Sequence, residues 1–158
     1  HKRIGYIAGW EGASTQRDRE KGFTEELVRN GQELYAREVG NFNSDEARQA
    51  ARTMFSKQNF PDAVFVANDA MAIAVIDVIR FELGLQVPEQ VSVVGYDDVP
   101  ISSWPAYDLT TVRQPANRMV AETVSILIES IENKTTTARR IEIDGPLMVR
   151  GSAKISDK

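Results

Sequence analysis

The chain has 158 residues, a length that suits one domain or a large piece of one and that allows a core without covalent cross-links. It contains no cysteine, which excludes disulfides and thiolate metal sites. The formal net charge is −4, whereas a domain that holds DNA by itself usually carries a basic face, so we do not expect these residues to contact DNA.

Short apolar strands alternate with helices along the chain. The predicted strands span 4–8, 33–39, 63–67, 91–96 and 109–112, with further extended segments at 139–143 and 147–149. The predicted helices span 16–29, 45–58, 70–83 and 116–133. Ser44 and Asp69 precede helical runs and are predicted to cap the second and third helices. The alternation predicts an α/β fold, a three-layer and doubly wound parallel sheet with right-handed crossovers, in which the less apolar 33–39 strand lies at an edge.

No secretory signal precedes the first predicted strand, and no apolar run is long enough to span a bilayer. We therefore expect a cytoplasmic protein, or one whose N-terminal part is missing from this sequence.

Hydrogen-bonding side chains directly follow two of the predicted strands. The 63–67 strand stops at Asn68 and Asp69, and the 91–96 strand stops at Asp97 and Asp98. Both strands are apolar on both faces, which is typical of strands buried in a parallel sheet. In open α/β sheets ligands bind in the crevice outside the carboxyl ends of the strands. These groups therefore predict a site for a polyhydroxylated or otherwise polar small molecule.

Four segments resemble the LacI-type transcription factors, the family of the lactose and galactose repressors, in that family's order and at its spacing. They are RDREKGF (17–23), FPDAVFVAND (60–69) with Met71 and Ala72 after it, VPEQVSVVGYDD (87–98) and LTTVRQP (109–115). The resemblance covers nearly the whole chain. It implies an effector-binding core with the periplasmic-binding-protein type I fold, in which two α/β lobes enclose the ligand. In this family, ligand binding changes the angle between the lobes and alters the grip of an N-terminal helix-turn-helix on operator DNA.

The resemblance also implies a division of the chain. Residues 1–112 correspond to the C-terminal lobe, 113–138 to a crossing segment and a helix of the N-terminal lobe, and 139–158 to terminal extended segments. The helix-turn-helix, the hinge helix and the first half of the N-terminal lobe are absent from this sequence. The 116–133 helix carries an apolar stripe, which would then lack its partner lobe, and exposed apolar area is unfavourable. We predict that it packs on another copy in a non-native or swapped association, folds back or stays mobile.

Asp97, Asn68 and Arg19 are the first candidates for ligand contact. The Asp97 carboxylate accepts two hydroxyls or the proton of a ring nitrogen, and the Asn68 amide both donates and accepts. For Arg19, one turn into the first long helix, the resemblance implies a ligand-contacting arginine whose planar fork holds two oxygens. The alternatives are a loop or capping role for Asp97 and an amide at Asn68 that satisfies only its own loop.

Phe42, Gln114 and Thr15 are further candidates. Phe42 follows the second strand in a polar turn, where it either stacks on the apolar face of a sugar or base or plugs the core at the sheet edge. Gln114 lies at the predicted crossing between lobes and either reaches the ligand or bonds the linker backbone. Thr15 would add a hydroxyl contact. The loop residues Trp10 and Trp104 either line the cleft or serve packing or a partner surface.

The residues leave three functions open. The first is the effector sensor of a LacI-type repressor, without catalysis or cofactor, which binds a sugar or else a sugar phosphate, nucleoside or purine. In that family the regions that match Ala72 to Asp77 and Ile101 to Ala106 contribute to a homodimer interface. The second is the sugar-binding protein of an ABC transporter. The third is a hydrolase that uses Asp97 and Asp98, but adjacent residues in a turn seldom aim both carboxylates at one bond, and Asp98 is expected to point elsewhere. Because His1 is the only histidine, a Ser–His–Asp triad or a histidine metal site has no support.

Overall fold

The computed structural model describes residues 1–56, 58–134 and 137–154 and arranges six strands of this part of the chain in one sheet. The strands are β1 (Ile4–Ala8), β2 (Leu34–Val39), β3 (Ala63–Val66), β4 (Ser92–Asp97), β5 (Thr110–Arg113) and β6 (Leu147–Met148). The helices are α1 (Ser14–Arg29), α2 (Ser44–Phe55), α3 (Asp69–Asp77) and α4 (Ala116–Glu132). A π-helical turn, Val78–Glu82, continues α3, and a 3₁₀ turn, Pro100–Ser103, lies between β4 and β5.

The sheet has the order β2-β1-β3-β4-β5-β6, so the strand order reverses beside β1. Strands β1 to β5 are parallel to one another, and β2 lies at an edge as predicted. β6 pairs antiparallel with β5, which corrects the expectation of an entirely parallel sheet. The antiparallel direction arises because the chain leaves β5 for α4 at the carboxyl edge and returns from that same edge. The predicted α/β fold is confirmed.

Helices cover both faces of the sheet. On one face, the Phe23 ring of α1 packs against the rings of Tyr6 and Phe65, with centroids 5.7 and 5.0 Å away. Successive strand residues point to opposite faces, so the residue beside Tyr6 faces the other layer. A β-carbon on Gly5 would indeed lie 3.0 Å from the sulfur of Met54 in α2. Along the sheet, the connection from β1 to β2 runs in one direction, and the connections from β2 to β3 and from β3 to β4 run in the other. Because crossovers are right-handed, connections of opposite direction place their helices on opposite faces of the sheet.

Two asparagines cap α2 and α3. The Oδ1 atom of Asn43 accepts hydrogen bonds from two backbone N–H groups in the first turn of α2, at 2.8 and 3.1 Å. The Oδ1 atom of Asn68 accepts from the backbone N–H of Met71 at 3.0 Å. Both asparagines have the extended backbone of an N-cap, whereas Ser44 and Asp69 are already helical. The predicted capping roles of Ser44 and Asp69 are therefore wrong by one residue.

The apolar stripe of α4 faces solvent, and the helix has no buried residue. Val120, Leu127 and Ile131 are 62, 56 and 75% exposed. Of the two extended segments predicted after it, only the later one enters the sheet, as β6. The predicted second helix, crossing segment and terminal segment extend over residues 57, 135–136 and 155–158, which lie outside the described residues. Within the described ranges, no helix is long and apolar enough to cross a membrane.

Candidate functional site

The loops after β1, β3 and β4 meet at the carboxyl edge of the sheet, because parallel strands end on the same side. β1 and β3 are neighbours at the reversal of strand order, where open α/β sheets leave a crevice for ligands. Trp10 lies in the loop after β1, Asn68 follows β3, and Asp97 ends β4. This edge is the candidate site.

Asp97 lies at the centre of this site. Its Oδ1 atom accepts hydrogen bonds from Nη2 of Arg19, at 3.2 Å, and from Nε2 of Gln114. Arg19 belongs to α1 and Gln114 directly follows β5, so three of the predicted site residues converge from separate segments. Within the described part of the chain, no group donates to Oδ2 of Asp97, and the side chain is 25% exposed. Oδ2 is thus available to a ligand hydroxyl.

Arg19 is fixed on three sides. Its Nη1 atom donates to the carbonyl oxygen of Ala67 at 2.5 Å, and its Nη2 atom donates to Asp97. The guanidinium carbon lies 4.0 Å from the centroid of the Tyr96 ring, a favourable cation–π geometry. The side chain is only 14% exposed. The guanidinium is therefore held in a fixed orientation rather than being freely solvated.

The start of α1 is anchored by Gln16, a buried residue that sequence reasoning missed. Its Oε1 atom accepts from the hydroxyl of Tyr6, at 3.0 Å, and from the backbone N–H of Gly9, at 2.6 Å. Burial raises the pKa of Tyr6 to about 12. Gln16 shares the helical spacing of the inward-facing Phe23 and Leu27, and this spacing was a signal for its burial. Through this anchor, α1 presents Arg19 to the carboxyl edge.

The electrostatics of Asp97 favour hydrogen bonding to a polar ligand. Burial raises the pKa of Asp97 above its ordinary value, and the nearby carboxylate of Asp69 raises it further. The hydrogen bond from Gln114 and the positive charge of Arg19 oppose this rise. A partly desolvated carboxylate of this kind gains from hydroxyl donors that replace lost water. Within the described residues, no group of three or more His, Asp or Glu side chains is arranged to hold a metal ion.

Asn68 uses one half of its amide within the protein. Its Oδ1 atom caps α3 through the backbone N–H of Met71. Among the described residues, no acceptor is hydrogen-bonded to Nδ2 of Asn68. Asn68 can therefore cap α3 through Oδ1 and still contact a ligand through Nδ2, although the sequence analysis treated a local role and a ligand contact as alternatives.

Phe42 lies at the same edge, directly over Gly9. A β-carbon on Gly9 would overlap Cζ of Phe42, so the ring occupies space that a side chain there would need. The ring is half-buried, and its buried part packs against the core. This fits the alternative role, in which Phe42 closes the core at the sheet edge. Phe42 and Asp97 both have positive φ angles, 58° and 125°, that non-glycine residues rarely adopt. Such strained positions cluster at ligand sites.

Thr15 is exposed in the first turn of α1. The structure does not bring its hydroxyl into hydrogen-bonding contact with Asp97, Arg19 or Gln114. It is the predicted site residue that the geometry supports least.

Asp98 points away from Asp97 and forms two salt bridges. Its Oδ2 atom accepts from Nε of Arg113 at 2.5 Å, and its Oδ1 atom accepts from Nη2 of Arg150 at 2.6 Å. The side chain of Asp98 is 5% exposed. Burial alone would raise the pKa of Asp98, but the hydrogen bonds from Arg150 and Arg113 lower it below its ordinary value. Arg113 ends β5 and Arg150 follows β6, so Asp98 ties together the outgoing and returning connections of α4.

Asp69 lies beneath the site and is fully buried. It accepts hydrogen bonds from the backbone N–H of Val99 at 3.0 Å, from Oγ of Ser102 at 2.7 Å and from Oγ1 of Thr111 at 2.6 Å. The carboxylate thereby anchors the loop between β4 and β5 to the start of α3.

Sequence reasoning also missed Tyr96, Arg113 and Arg150. Side-chain alternation along β4 places Tyr96 on the face of α1, and this signal was present in the sequence. The roles of Arg113 and Arg150 had no local signal, because they depend on the return of the chain as β6.

Comparison with known proteins agrees with this geometry. Residues 1–153 match the protein family described as periplasmic binding protein-like domain. The HTH-type transcriptional repressor PurR of Photobacterium profundum is 32% identical over 156 residues, which are 98% of this chain and 46% of that repressor. The lac repressor bound to ONPG in its repressed state matches with a TM-score of 0.89 and 29% identity, over 97% of this chain and 46% of that chain. The transcriptional regulator CelR in complex with cellobiose matches with a TM-score of 0.89 and 35% identity, over 97% of this chain and 47% of that chain.

The chain belongs to the periplasmic binding protein-like domain family. The resemblance to the effector-binding core of LacI-type regulators is confirmed by the relatives and by the lac repressor and CelR structures. The chain spans about half the length of the relatives that it matches. Those relatives are named as transcriptional regulators and not as enzymes.

Proposed function

We propose that this chain is part of the effector-binding core of a LacI-type transcriptional repressor, which binds a sugar or a similar small polar ligand and thereby controls its binding to operator DNA. The observation that carries the proposal is the convergence of Arg19, Asp97 and Gln114 at the carboxyl edge of the sheet. The relatives support it, because CelR was solved with cellobiose and the lac repressor dimer was solved bound to operator.

The lobe assignment is part of the proposal. Residues 1–112 would form one lobe, 113–138 would cross to the other lobe and supply one of its helices, and 139–158 would be terminal extended segments, of which Leu147–Met148 pairs with β5. The solvent-facing stripe of α4 supports this division. So does Ser152, whose Oγ atom donates to the carbonyl of Val93 at 2.6 Å and accepts from the backbone N–H of Thr110 at 2.8 Å. The ligand would then lie between the lobes, against Asp97.

Gln114 offers a route from the ligand to the angle between the lobes. It is bonded to Asp97 and stands where the chain leaves β5 for α4. A ligand hydroxyl that donates to Oδ2 of Asp97 would share this carboxylate with Gln114, which donates to Oδ1, and would so be coupled to the crossing segment. The output is a shift in the populations of two lobe angles, which requires that the ligand binds one of them more tightly.

The partners follow from the same proposal. Operator DNA would be bound through an N-terminal helix-turn-helix outside this sequence, and such a regulator would work in the cytoplasm. A homodimer would form through Ala72 to Asp77 and Ile101 to Ala106. Arg80, in the turn that continues α3 beyond the first region, donates from Nη1 to the carbonyl of Ala106 in the second region at 2.6 Å, which holds the two parts of this surface close together. Trp104 is 56% exposed there, so Trp104→Glu should weaken dimerisation of the complete protein in sedimentation experiments.

The sugar-binding protein of an ABC transporter is the alternative with the same fold. The sequence upstream of His1 discriminates between the two functions: a helix-turn-helix would support the repressor, and a secretory signal would support the transporter. The hydrolase that uses Asp97 and Asp98 is disfavoured, because Asp98 is occupied by Arg113 and Arg150.

A thermal-shift screen of sugars and nucleobases on the complete protein that carries this chain tests the proposed ligand class. A specific ligand should raise the melting temperature by mass action. Asp97→Ala and Arg19→Ala should abolish the shift, whereas Arg29→Ala, at the exposed end of the same helix, should preserve it. An undiminished shift in both site variants would overturn the assignment.

A further inference from the structure

Trp10 is an exposed aromatic residue at the rim of the candidate site. It directly follows Gly9, over which the Phe42 ring lies, and it is 60% exposed. This exposure leaves most of its aromatic surface available at the carboxyl edge. The loop after β1 that carries it lies at the same carboxyl edge of the sheet as Asn68 and Asp97.

The loop that carries Trp10 is held in place by hydrogen bonds. Gln16 accepts from the backbone N–H of Gly9 at 2.6 Å, and the backbone N–H of Ala13 donates to the carbonyl of Trp10 at 3.0 Å. Arg17 donates from Nη1 to the carbonyls of Glu11 and Gly12 at 3.2 and 3.1 Å. A loop that is already ordered loses little conformational entropy when a ligand binds, so its exposed side chain is an efficient contact.

The indole of Trp10 is seated on its own loop. The six-membered ring of the indole packs directly on Gly12, because a β-carbon at that position would overlap its atoms. Phe42 is seated in the same manner on Gly9. The two aromatic rings come from different loops and rest on different glycines. They therefore form two separate platforms at one edge.

We infer that Trp10 stacks on a second sugar ring, so that the site takes a ligand of two linked sugars rather than a single one. Asp97, Arg19 and Phe42 would hold the first ring, and the outer face of Trp10 would cover the apolar face of the second. This inference rests on the proposed function and deepens it by naming the ligand as a disaccharide or longer.

Calorimetric titration of the complete protein with disaccharides and with their component monosaccharides tests this inference. The probes are cellobiose, maltose, lactose and melibiose against glucose and galactose. Trp10→Ala should weaken disaccharide affinity about tenfold and leave monosaccharide affinity unchanged, because a stacking contact of this kind is lost only for the second ring. Trp10→Phe should restore most of the affinity. Tyr35→Ala, which removes an exposed aromatic at the amino end of β2, should leave both affinities unchanged.

The outcomes distinguish failure of the two-ring inference from failure of the proposed sugar sensor. An equal loss for both sugar classes in Trp10→Ala would place Trp10 on the first ring and overturn the two-ring inference while leaving the proposed sugar sensor intact. An unchanged affinity for both classes would overturn it in the same way. If no sugar binds the wild-type protein, the proposed sugar ligand fails and the inference fails with it.

Discussion

The guanidinium of Arg19 donates a hydrogen bond to the carboxylate of Asp97 across 78 residues of sequence, with Nη2 and Oδ1 3.2 Å apart. The same guanidinium rests on the ring of Tyr96, the residue that precedes Asp97 in β4. One helix and one strand end thus form a single hydrogen-bonding unit at the sheet edge. A ligand that contacts either residue must respond to both.

Arg19 and Asp97 should therefore act on the ligand as a coupled pair. Arg19→Ala and Asp97→Ala should each weaken binding of the ligand at least about tenfold, and the double variant should lose less than the product of the two effects. Arg19→Lys should not rescue binding, because an ammonium lacks the fork that reaches both Ala67 and Asp97. Calorimetric titration measures the affinities of the wild type and of these four variants. Strictly multiplicative losses would show that the two residues act independently.

Asn68→Asp should separate the capping role of Asn68 from its ligand contact. Aspartate keeps the acceptor for the backbone N–H of Met71 but removes the Nδ2 donor. We expect the melting temperature without ligand to change little and the ligand affinity to fall. Asn68→Ala should in addition lose about 1 kcal/mol of stability with the cap. Full ligand affinity in Asn68→Asp would restrict this residue to capping.

Asp98 should contribute stability that is lost in acid. Its pKa is lowered below the ordinary 3.8 in the folded protein, so the ionised form favours folding. This contribution is fully present above about pH 4 and is lost as the pH falls through the lower folded pKa. At pH 7, Asp98→Asn should cost about 3 kcal/mol, because it leaves the Arg150 side chain, 13% exposed, without its carboxylate.

Urea unfolding between pH 2.5 and 7 measures this effect. The difference in unfolding free energy between the wild type and Asp98→Asn should shrink below about pH 4. The matched control is Glu25→Gln, which removes a solvent-exposed ion pair with Lys21 and should change stability by less than about 0.5 kcal/mol. A pH-independent difference for Asp98→Asn would contradict the role assigned to its charge.

Two neighbouring serines should differ sharply in their effect on stability. Ser102 is buried and donates to Asp69 at 2.7 Å, whereas Ser103 is exposed and donates to the carbonyl of Pro100. Ser102→Ala leaves a buried carboxylate short of one donor and should cost about 2 kcal/mol. Ser103→Ala should cost less than about 0.5 kcal/mol. Thermal unfolding by circular dichroism compares them, and equal losses would rule out a special role for the Asp69 network.

The 158-residue chain expressed by itself should associate through α4. The stripe that contains Leu127 and Ile131 is exposed, and burial of apolar surface is worth about 25 cal/mol per Å². Sedimentation velocity should detect oligomers that dissociate in the Leu127→Glu and Ile131→Glu variants. A monodisperse monomer with an ordered and exposed α4 would refute this association.

Much of the fold could be predicted from local pattern. The five strands β1 to β5 begin within one residue of their predicted positions, and the four helices begin within two. The apolar residues of a strand or helix recur every two to four positions, so a short stretch of sequence is enough to predict the element. The ends of the strands before Asn68 and Asp97 likewise indicated the edge where a site should lie. The resemblance to LacI-type regulators added Arg19, which no local pattern would have selected.

The partners of the buried charges were decided only by the tertiary structure. Asp69 looked like a helix cap, but its three donors lie 30 to 42 residues away on the β4–β5 loop and on β5. Asp98 looked like a turn residue, but Arg150 reaches it from 52 residues away, after the chain has returned as β6. A carboxylate is stabilised by whichever donors stand opposite it in space. Strand order and crossover direction bring those donors into place, and the residues next to the carboxylate in sequence determine neither of them.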